Sequence, residues 1–223
     1  MKTCVIIPSY NEEKEIFKLV SAIIKQGLVV LVIDDGSQDN TSKFAQQAGA
    51  LVIKNKTNEG KGASLAKGFK YALENNFDAV ITMDGDGQHS PNDVPLFLKV
   101  ASYSSSVILV GNRMQKTKNM PIMRLLTNKF MSWLISLVAK QKIADTQCGF
   151  RLIKKEALIK IDFSTTKYET ESEILIKSSR LGFKIESVPI TTIYRGEKSQ
   201  INPFIDTLRF LKYIIREIWT TKH

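Results

Sequence analysis

The sequence has few of the residues on which disulfide frameworks, zinc cages and histidine-based catalysis depend. Two cysteines and two histidines occur among its 223 residues. Cys4 and Cys148 lie far apart and form no C-x-x-C pair, so we predict two small buried thiols, a reducing compartment and no zinc site. We expect His89 on an exposed loop, and His223 is terminal. A hydrolase with a Ser-His-Asp relay would therefore lack its base.

Long apolar runs are also scarce. The opening residues MKTCVIIPSYNEE turn polar after a handful of apolar positions, which argues against a secretory signal. The longest uncharged apolar stretch in the second half, FMSWLISLVA, has about ten residues, half of what a membrane span requires. No repeat, low-complexity tract or obvious linker interrupts the chain. We therefore expect residues 1–223 to form one domain without a transmembrane anchor.

Negative charge is scarce in the second half of the chain. Residues 1–111 carry 11 basic and 12 acidic side chains, whereas residues 112–223 carry 21 basic and 10 acidic ones. The whole formal charge of +10 thus belongs to the second half. Such an imbalance predicts an anionic partner there: a membrane surface, a phosphorylated substrate or nucleic acid. A merely well-solvated surface is the alternative.

Apolar runs alternate with amphipathic segments in the first half. TCVIIPSY, LVVLVID, ALVIKN and DAVITMD predict buried strands, and EEKEIFKLVSAIIKQG is typical of the helices between them. This alternation predicts an α/β fold with a mostly parallel sheet and helices on both faces. Ligands of such sheets bind outside the carboxyl ends of the strands. PSYNE, DDGSQDN and DGDGQ lie at three of those ends.

The second half is less regular. SSVILVGNR predicts a strand that ends at Arg113, and FKIESVPITTIYR predicts another. A short helix is expected around ETESEILIKSSRLG, and residues 120–140 form one long amphipathic helix or two shorter ones. A last helix is predicted over residues 204–219. The two long apolar helices suit either an anionic membrane surface or packing on the sheet; we favour the membrane for 120–140 and leave both open for 204–219.

The stretch VITMDGDGQHSP, residues 80–91, gathers two carboxylates after a predicted strand. Asp84 and Asp86 repel one another and would cost desolvation energy in a core. On an extended segment both side chains would point the same way and could face one cation. Mg²⁺ and Mn²⁺ prefer such hard oxygen ligands and complete their shell with phosphate oxygens and water. Gly85 and Gly87 would let a phosphate ester approach the backbone.

Two further loops carry candidate binding groups. Asp34 and Asp35 close a predicted strand, and in regular geometry at most one of them faces a ligand. A carboxylate there can accept hydrogen bonds from a nucleotide base or ribose, although a turn at Asp35-Gly36 that caps the next helix explains it as well. The loop NEGKG, residues 58–62, offers backbone N–H groups and Lys61 near a helix start, which suits phosphate.

The order of these motifs carries a resemblance. VIIPSYNEE, VLVIDDGSQDNT, NEGKGASLAKGF, AVITMDGDGQHSP, VGNR and DTQCGFR together resemble family-2 glycosyltransferases of the dolichyl-phosphate mannose synthase-like branch, from about Val5 to the last helix. The resemblance implies a GT-A fold and an inverting enzyme that moves a sugar from a nucleotide diphosphate sugar to a polyprenyl phosphate. Many members of this family carry transmembrane helices after the catalytic domain, and we predict none in this sequence. We therefore expect a cytoplasmic protein that associates with the membrane peripherally, with room for a separate anchoring partner.

The resemblance assigns the nucleotide-sugar side of the site. Lys61 is again expected near the phosphates. The segment EKSQIN resembles a basic loop that closes on the diphosphate, with Lys198 as the candidate for the contact and Ser199 beside it. The nucleotide pocket and the Mg²⁺ or Mn²⁺ site would be formed by Pro8, Tyr10, Glu12 and Asp35, and by Asp84, Asp86 and Gln88, respectively.

The resemblance also assigns the reacting groups. Arg113 would contact phosphate, and Arg124 would contact the lipid phosphate. Relatives often carry a serine one turn after that arginine; here the candidates for that contact are Thr127 and Asn128. Arg151 and Glu173 match recurrent positions in the family.

Three other interpretations remain to be weighed. A lipid phosphate is already ionised at pH 7, whereas a soluble glycan or other hydroxyl acceptor would need a general base, for which Glu173 and Asp145 are candidates. Nucleic-acid binding predicts aromatic platforms or a reading helix and leaves the D-x-D pattern unexplained, so we expect no nucleic-acid partner. A nucleotidyltransferase needs a glycine-rich loop with arginine near the first strand, where PSYNEE is acidic.

Overall fold

The computed structural model describes residues 1–115, 117, 120–167, 169–193 and 212–214. Lys198, Ser199 and most of the helix expected over 204–219 lie outside this part of the chain; residues 212–214 are helical. In chain order the elements are β1 (Thr3–Ser9), α1 (Ile16–Ile24), β2 (Val29–Asp34), α2 (Thr41–Gln47), β3 (Leu51–Lys54), α3 (Lys61–Glu74), β4 (Ala79–Thr82), α4 (Val94–Tyr103), β5 (Ile108–Asn112), α5 (Ile122–Ala139), β6 (Arg151–Lys154), α6 (Lys155–Lys160), α7 (Glu169–Arg180) and β7 (Ile185–Pro189).

The described strands form one sheet in the order β3-β2-β1-β4-β6-β5-β7. Within the first four strands all pairings are parallel, and Ser9 of β1 lies opposite Asp34 of β2, which lies opposite Lys54 of β3. The carboxyl ends of these strands therefore coincide at one edge. The loops that hold PSYNE, DDGSQDN, NEGKG and DGDGQ all leave the sheet there.

β6 runs antiparallel to both of its neighbours, a reversal that the sequence did not predict. It pairs antiparallel with β4, Thr82 opposite Arg151, and antiparallel with β5, Val110 opposite Arg151. Reversal brings the start of β6 to the edge where the parallel strands end. The preceding residues, 146–150, are thereby added to the loops at that edge. β7 pairs parallel with β5, so the sheet remains mostly parallel, as predicted.

The helices cover the sheet through their apolar faces. In α1, Ile16, Leu19, Val20 and Ile23 recur at helical spacing and are buried, since a helix with such a stripe gains free energy only when the stripe is covered. α1 packs against α2, whereas α3 packs against α6 and α7. Cys4 and Cys148 are buried free thiols, and burial raises the pKa of each to about 12.

The stretch 120–140 contains one 18-residue helix, α5, rather than two. Its inner face buries Asn128, Ser132, Ile135 and Ala139. Its outer face leaves large apolar side chains exposed by more than half, at Ile122, Met123, Leu126, Phe130, Trp133 and Leu137. By length and composition α5 could cross a membrane, which the ten-residue uncharged run did not predict. Lys129 stands directly before that run and Arg124 one turn earlier, but the helix continues through both.

Candidate functional site

The acidic loop after β4 is a turn rather than an extension of the strand. β4 ends at Thr82, and Gly85 and Asp86 are turn residues, so the expectation that alternation along a strand aims Asp84 and Asp86 at one point was wrong. Both side chains are half-buried, and Asp86 Oδ1 accepts a hydrogen bond of 3.0 Å from the Gln88 N–H. The turn, not the strand pleat, sets their geometry.

The glycines of this loop serve packing. A Cβ on Gly85 would lie 2.6 Å from Ser9 Oγ. Gly87 has φ +69°, and a Cβ there would lie 2.9 Å from Glu15 Oε2. A side chain at Gly85 would collide with Ser9 of the PSYNEE segment, and one at Gly87 would crowd Glu15 and strain the backbone. The structure thus explains both glycines by their approach to the β1 loop, without the phosphate ester that the sequence suggested.

Lys61 lies between two carboxylates of the loop edge. Its Nζ contacts Asp84 Oδ1 and lies 2.9 Å from Glu171 Oε1. Burial favours neutral groups, yet the Lys61 ammonium, with His89 and Arg113 nearby, holds the pKa of Asp84 well below its usual range. The same carboxylates raise the pKa of Lys61 against the effect of burial. Both groups are therefore charged at neutral pH.

Glu171 also lies at this edge, at a position that the sequence motifs did not indicate. It stands in the first turn of α7, two positions before Glu173, within ETESEI. A Cβ on Gly149 would lie 2.7 Å from Asp84 Oδ2 and 3.0 Å from Glu171 Oε1, so both carboxylates crowd against the same glycine. The sequence shows three acidic residues at the start of this helix, and their spacing alone does not tell which of them faces the site.

Glu173 has a different environment from the one expected. It is fully buried, and its carboxylate accepts hydrogen bonds from the N–H and hydroxyl groups of Ser164 and Thr165 and pairs with Lys177. Burial alone would raise the pKa of Glu173, but these donors lower it. In the described part of the chain, Glu173 attaches residues 164–165 to α7. Its participation in the reaction stays a prediction.

Two of the predicted arginines are likewise anchored inside the protein. Arg113 follows β5 and binds Asp145 through Nε at 2.7 Å and Nη2 at 2.9 Å. Arg151, 1% exposed, donates to the carbonyls of Thr146, Cys148 and Glu171. Arg151 thus fixes the turn at residues 146–147 and Cys148, next to Gly149. The charge of Arg113 lowers the pKa of Asp84, so it acts on the site from close range.

The carboxylate of Asp35 organises the NEGKG loop. It accepts hydrogen bonds from the backbone N–H groups of Glu59 at 2.9 Å and Gly60 at 2.8 Å, and from Asn55 Nδ2 at 2.8 Å. Asp34 accepts from the Ser37 N–H and the Ser42 hydroxyl, at the start of α2. Both aspartates are buried. They hold loops, but Asp35 binds the loop before α3 and does not cap α2, whose N-cap is Asn40, so the expected cap was wrong. Contact of Asp35 with a base or ribose stays a prediction.

The PSYNE segment lies against the loop that follows β2. The Asn11 N–H donates to Ser37 Oγ at 2.9 Å, and the Glu12 N–H donates to Thr41 Oγ1 at 2.8 Å. Because these loops fix each other, the half-buried side chains of Pro8, Tyr10 and Glu12 stay at the carboxyl edge. That is where the sequence placed a nucleotide pocket.

His89 is buried, so the prediction of an exposed loop histidine was wrong. Its Nδ1 lies 3.5 Å from the Asp84 backbone N, its Nε2 lies 3.8 Å from Cys148 Sγ, and its ring contacts Phe150. It also forms an antiparallel bridge with Thr192. Burial lowers the pKa of His89 to about 4, with Asp84 opposing the shift, so the ring is neutral at pH 7.

Arg124 brings α5 to the acidic loop. Its Nη2 lies 3.4 Å from Gln88 Oε1. One turn later, Asn128 is 7% exposed, and among the described residues its Nδ2 has no hydrogen-bond partner. Thr127 is exposed. The structure therefore favours Asn128 over Thr127 as the polar group that shares the inner side of the helix with Arg124. Lys198 lies outside the described residues.

The oxygen ligands at this edge are of the type that a hard divalent cation prefers. Asp84, Asp86 and Gln88 offer carboxylate and amide oxygens on one turn, and the Lys61 ammonium already neutralises Asp84. In the described part of the chain no group of three or more His, Cys, Asp or Glu side chains could hold a metal ion, so the two carboxylates and the Gln88 amide would supply only part of the coordination of an ion bound here. Such an ion would take its remaining ligands from phosphate and water, as Mg²⁺ usually does.

Comparisons with known proteins agree with this architecture. The model of the family described as glycosyl transferase family 2 matches residues 4–162. The UDP-N-acetylglucosamine–dolichyl-phosphate N-acetylglucosaminyltransferase of Methanococcus voltae is 32% identical, over 85% of this chain and 84% of its own. The undecaprenyl-phosphate mannosyltransferase of Micrococcus luteus is 30% identical, over 87% of this chain and 85% of its own.

Among solved structures, the chain resembles glucosyl-3-phosphoglycerate synthase from Mycobacterium tuberculosis, crystallised with Mn²⁺, uridine diphosphate and phosphoglyceric acid. The TM-score is 0.74 at 20% identity, over 98% of this chain and 78% of that one. At this identity the likeness concerns the fold, and it confirms the predicted α/β architecture.

Proposed function

The chain belongs to glycosyl transferase family 2, and on this premise we propose that it transfers a sugar, with inversion, from a nucleotide diphosphate sugar to a polyprenyl phosphate. The observation that carries the proposal is the contact between Arg124 and Gln88. It joins an apolar-faced helix of the basic half to the acidic loop of the other half. The names of the relatives from M. voltae and M. luteus, a dolichyl-phosphate and an undecaprenyl-phosphate transferase, support this acceptor class.

The donor side of the site would bind the diphosphate through charge. Asp84, Asp86 and Gln88 would hold Mg²⁺ or Mn²⁺, which supplies positive charge to the departing diphosphate. Arg113 and Lys61 would add positive charge beside it, at the edge where PSYNE lies. Preorganised cations of this kind stabilise the charge that develops in the transition state.

The acceptor side would bring a second anion to the same point. Arg124 and the amide of Asn128 would bind the lipid phosphate, whose oxygen attacks the anomeric carbon without losing a proton first. To hold the lipid phosphate in line with the diphosphate of the donor, the protein must mainly position the two anions and neutralise their charge. This need matches the excess of basic residues in residues 112–223.

The rival proposal, transfer to a soluble hydroxyl, requires a general base. Asp145 is fully buried against Arg113. Glu173 is fully buried against Ser164, Thr165 and Lys177, and its lowered pKa makes it a weaker base. Neither candidate carboxylate suits the task, which favours the phosphate acceptor. The solved structure with phosphoglyceric acid does not decide between the two, because its likeness concerns the fold alone.

A peripheral position at the cytoplasmic face of the membrane follows from the same proposal. The exposed apolar side of α5 would enter the lipid, while Arg124 on the inner side stays with Gln88. Because Asn128 and Ser132 are buried against the domain, we propose that α5 lies in the interface and does not span it. Residues 1–223 would form one catalytic domain with a donor-binding half, 1–111, and an acceptor-binding half, 112–223.

A direct assay tests the proposed function. The purified protein is incubated with undecaprenyl or dolichyl phosphate and a panel of radiolabelled nucleotide sugars, with Mg²⁺, with Mn²⁺ or with EDTA. We expect label to be extracted into organic solvent only with a divalent ion. Label transferred only to water-soluble acceptors would contradict the lipid acceptor, and full activity in EDTA would contradict the metal.

A further inference from the structure

The ammonium of Lys61 is shared by carboxylates from two different elements. Lys61 begins α3, and its Nζ contacts Asp84 Oδ1 of the acidic loop and lies 2.9 Å from Glu171 Oε1 of α7. The side chains of Lys61 and Glu171 are 18% and 14% exposed. An ion pair so far removed from solvent is weakly screened and holds its geometry.

The contact between Lys61 and Glu171 rests on rigid packing. The Ala63 N–H donates to the Thr166 carbonyl at 3.0 Å, which ties the start of α3 to the segment before α7. A Cβ on Gly62 would lie 2.0 Å from Thr170 Oγ1, so only glycine allows the two helices to approach this closely. The positions of the ammonium and of Glu171 are therefore set by the backbone.

Glu171 and Asp84 are also fixed relative to each other. Both carboxylates contact the space that a Cβ on Gly149 would occupy, at 3.0 Å and 2.7 Å. Two carboxylates this close repel one another unless a cation lies between them. Lys61 supplies that cation.

We infer that Glu171 is a positioning residue that retains the Lys61 ammonium when a divalent cation takes Asp84. The inference deepens the proposed function, because it rests on a metal ion at the acidic loop. In this inference the ion displaces the ammonium from Asp84 Oδ1, because two cations held on one carboxylate repel each other. Glu171, already 2.9 Å away, keeps the ammonium beside the loop, where it can meet an oxygen of the diphosphate.

The test follows the chemical accessibility of Lys61 with Mn²⁺ alone as the probe. Lysines are labelled briefly with acetic anhydride, and the rate at Lys61 is read by mass spectrometry, with Mn²⁺ binding followed in parallel by electron paramagnetic resonance. In the unsubstituted protein Lys61 should label slowly with and without Mn²⁺. In Glu171→Gln it should label slowly without Mn²⁺ and about tenfold faster with it, because it has then lost both carboxylates.

Internal controls keep the measurement decisive. Asp84→Asn/Glu171→Gln should label Lys61 rapidly even without Mn²⁺, which shows that the probe reports the ion pairs. Glu169→Gln removes a carboxylate two residues earlier on α7 and should behave like the unsubstituted protein. Lys70 on α3, exposed and 3.8 Å from Glu74, should label at one rate throughout. Circular dichroism checks that each variant is folded.

Each remaining outcome overturns the inference in a distinguishable way. If Mn²⁺ accelerates labelling of Lys61 in the unsubstituted protein, Glu171 does not retain the ammonium. If Mn²⁺ binds but labelling in Glu171→Gln does not change, the ion does not displace Lys61 from Asp84. If Mn²⁺ does not bind to the unsubstituted protein, the metal site of the proposed function fails together with the inference.

Discussion

The carboxylate of Asp145 holds the guanidinium of Arg113 at two points, 2.7 Å from Nε and 2.9 Å from Nη2, and accepts a third hydrogen bond from the Arg113 backbone N–H. Both side chains are buried. The arginine is thereby fixed where β5 ends, and its charge lowers the pKa of Asp84 across the site. An arginine held in this way acts on the acidic loop without having to move.

Asp145→Asn should destabilise the protein strongly. The substitution keeps the shape of the side chain but leaves the Arg113 charge buried without a counter-ion, which costs about 3–5 kcal/mol. Urea unfolding followed by circular dichroism measures the free energy of unfolding. Glu74→Gln, which breaks the exposed pair with Lys70, should change it by less than about 1 kcal/mol. A loss in Asp145→Asn no larger than that control would show that the buried pair is not needed.

Asp86→Ala should abolish turnover while leaving the fold intact. Asp86 is half-buried on a turn, so its loss removes a proposed metal ligand at little cost in packing. We expect at least a ~100-fold fall in kcat, as when charge stabilisation of a leaving group is lost. Calorimetric binding of the donor's nucleoside diphosphate should also lose its dependence on Mn²⁺. Asp162→Ala, at an exposed position, serves as the control; retained activity in Asp86→Ala would remove the metal role of that residue.

Arg124→Ala should raise the KM for the polyprenyl phosphate more than the KM for the nucleotide sugar. The arginine reaches Gln88 from α5, so it stands on the acceptor side of the acidic loop. Loss of one charged contact to phosphate predicts roughly a tenfold or larger effect. Asn128→Ala should act in the same direction and more weakly, whereas Thr127→Ala, at an exposed position, should have little effect. Equal changes in both KM values would place Arg124 elsewhere in the reaction.

The stability of the protein should decrease as the pH is lowered from 6.5 toward 4, because of His89. Its pKa is about 4 in the folded protein against an ordinary value of 6.5, because burial disfavours the charged ring. Between these two values the unfolded chain binds a proton at His89 and the folded protein does not. The contribution of the neutral ring to the free energy of unfolding is therefore fully present above pH 6.5 and is lost as the pH falls toward 4. The span corresponds to about 3 kcal/mol. His89→Asn should flatten the decline in melting temperature between pH 6.5 and 5; an unchanged slope would contradict the buried neutral ring.

The sequence predicted the local order of the fold well and its long-range pairings less well. The apolar runs around TCVIIPSY and DAVITMD became β1 and β4, because continuous β-branched stretches suit strands covered on both faces. The reversal of β6 was not predicted, since direction depends on which strands pair and not on the strand's own residues. His89 was misplaced for the same reason: Phe150 and Thr192, which bury it, are distant in the chain.

The choice between Glu171 and Glu173 shows where sequence reasoning stops. Two residues apart on a helix, their side chains point about 200° from each other, so only one could face Lys61. The register of α7 decides between them, and that register is set by packing against α3 and α5. The resemblance pointed to Glu173, whose carboxylate binds residues 164–165, whereas the carboxylate of Glu171 contacts Lys61.

Binding to lipid vesicles should depend on the outer side of α5. Phe130 and Trp133 are 55% and 57% exposed, with ring centroids 6.0 Å apart. Because burial of an aromatic side chain is worth about 1.5–3 kcal/mol, Phe130→Ser and Trp133→Ser should each weaken partitioning into vesicles by about tenfold or more. Vesicles with phosphatidylglycerol should bind more protein than neutral ones, and added salt should reduce the difference. Tyr103→Ser, 70% exposed at the end of α4, is the matched control and should partition like the unsubstituted protein. If the two α5 variants sediment with vesicles as the control does, the exposed apolar side of this helix is not what contacts the membrane.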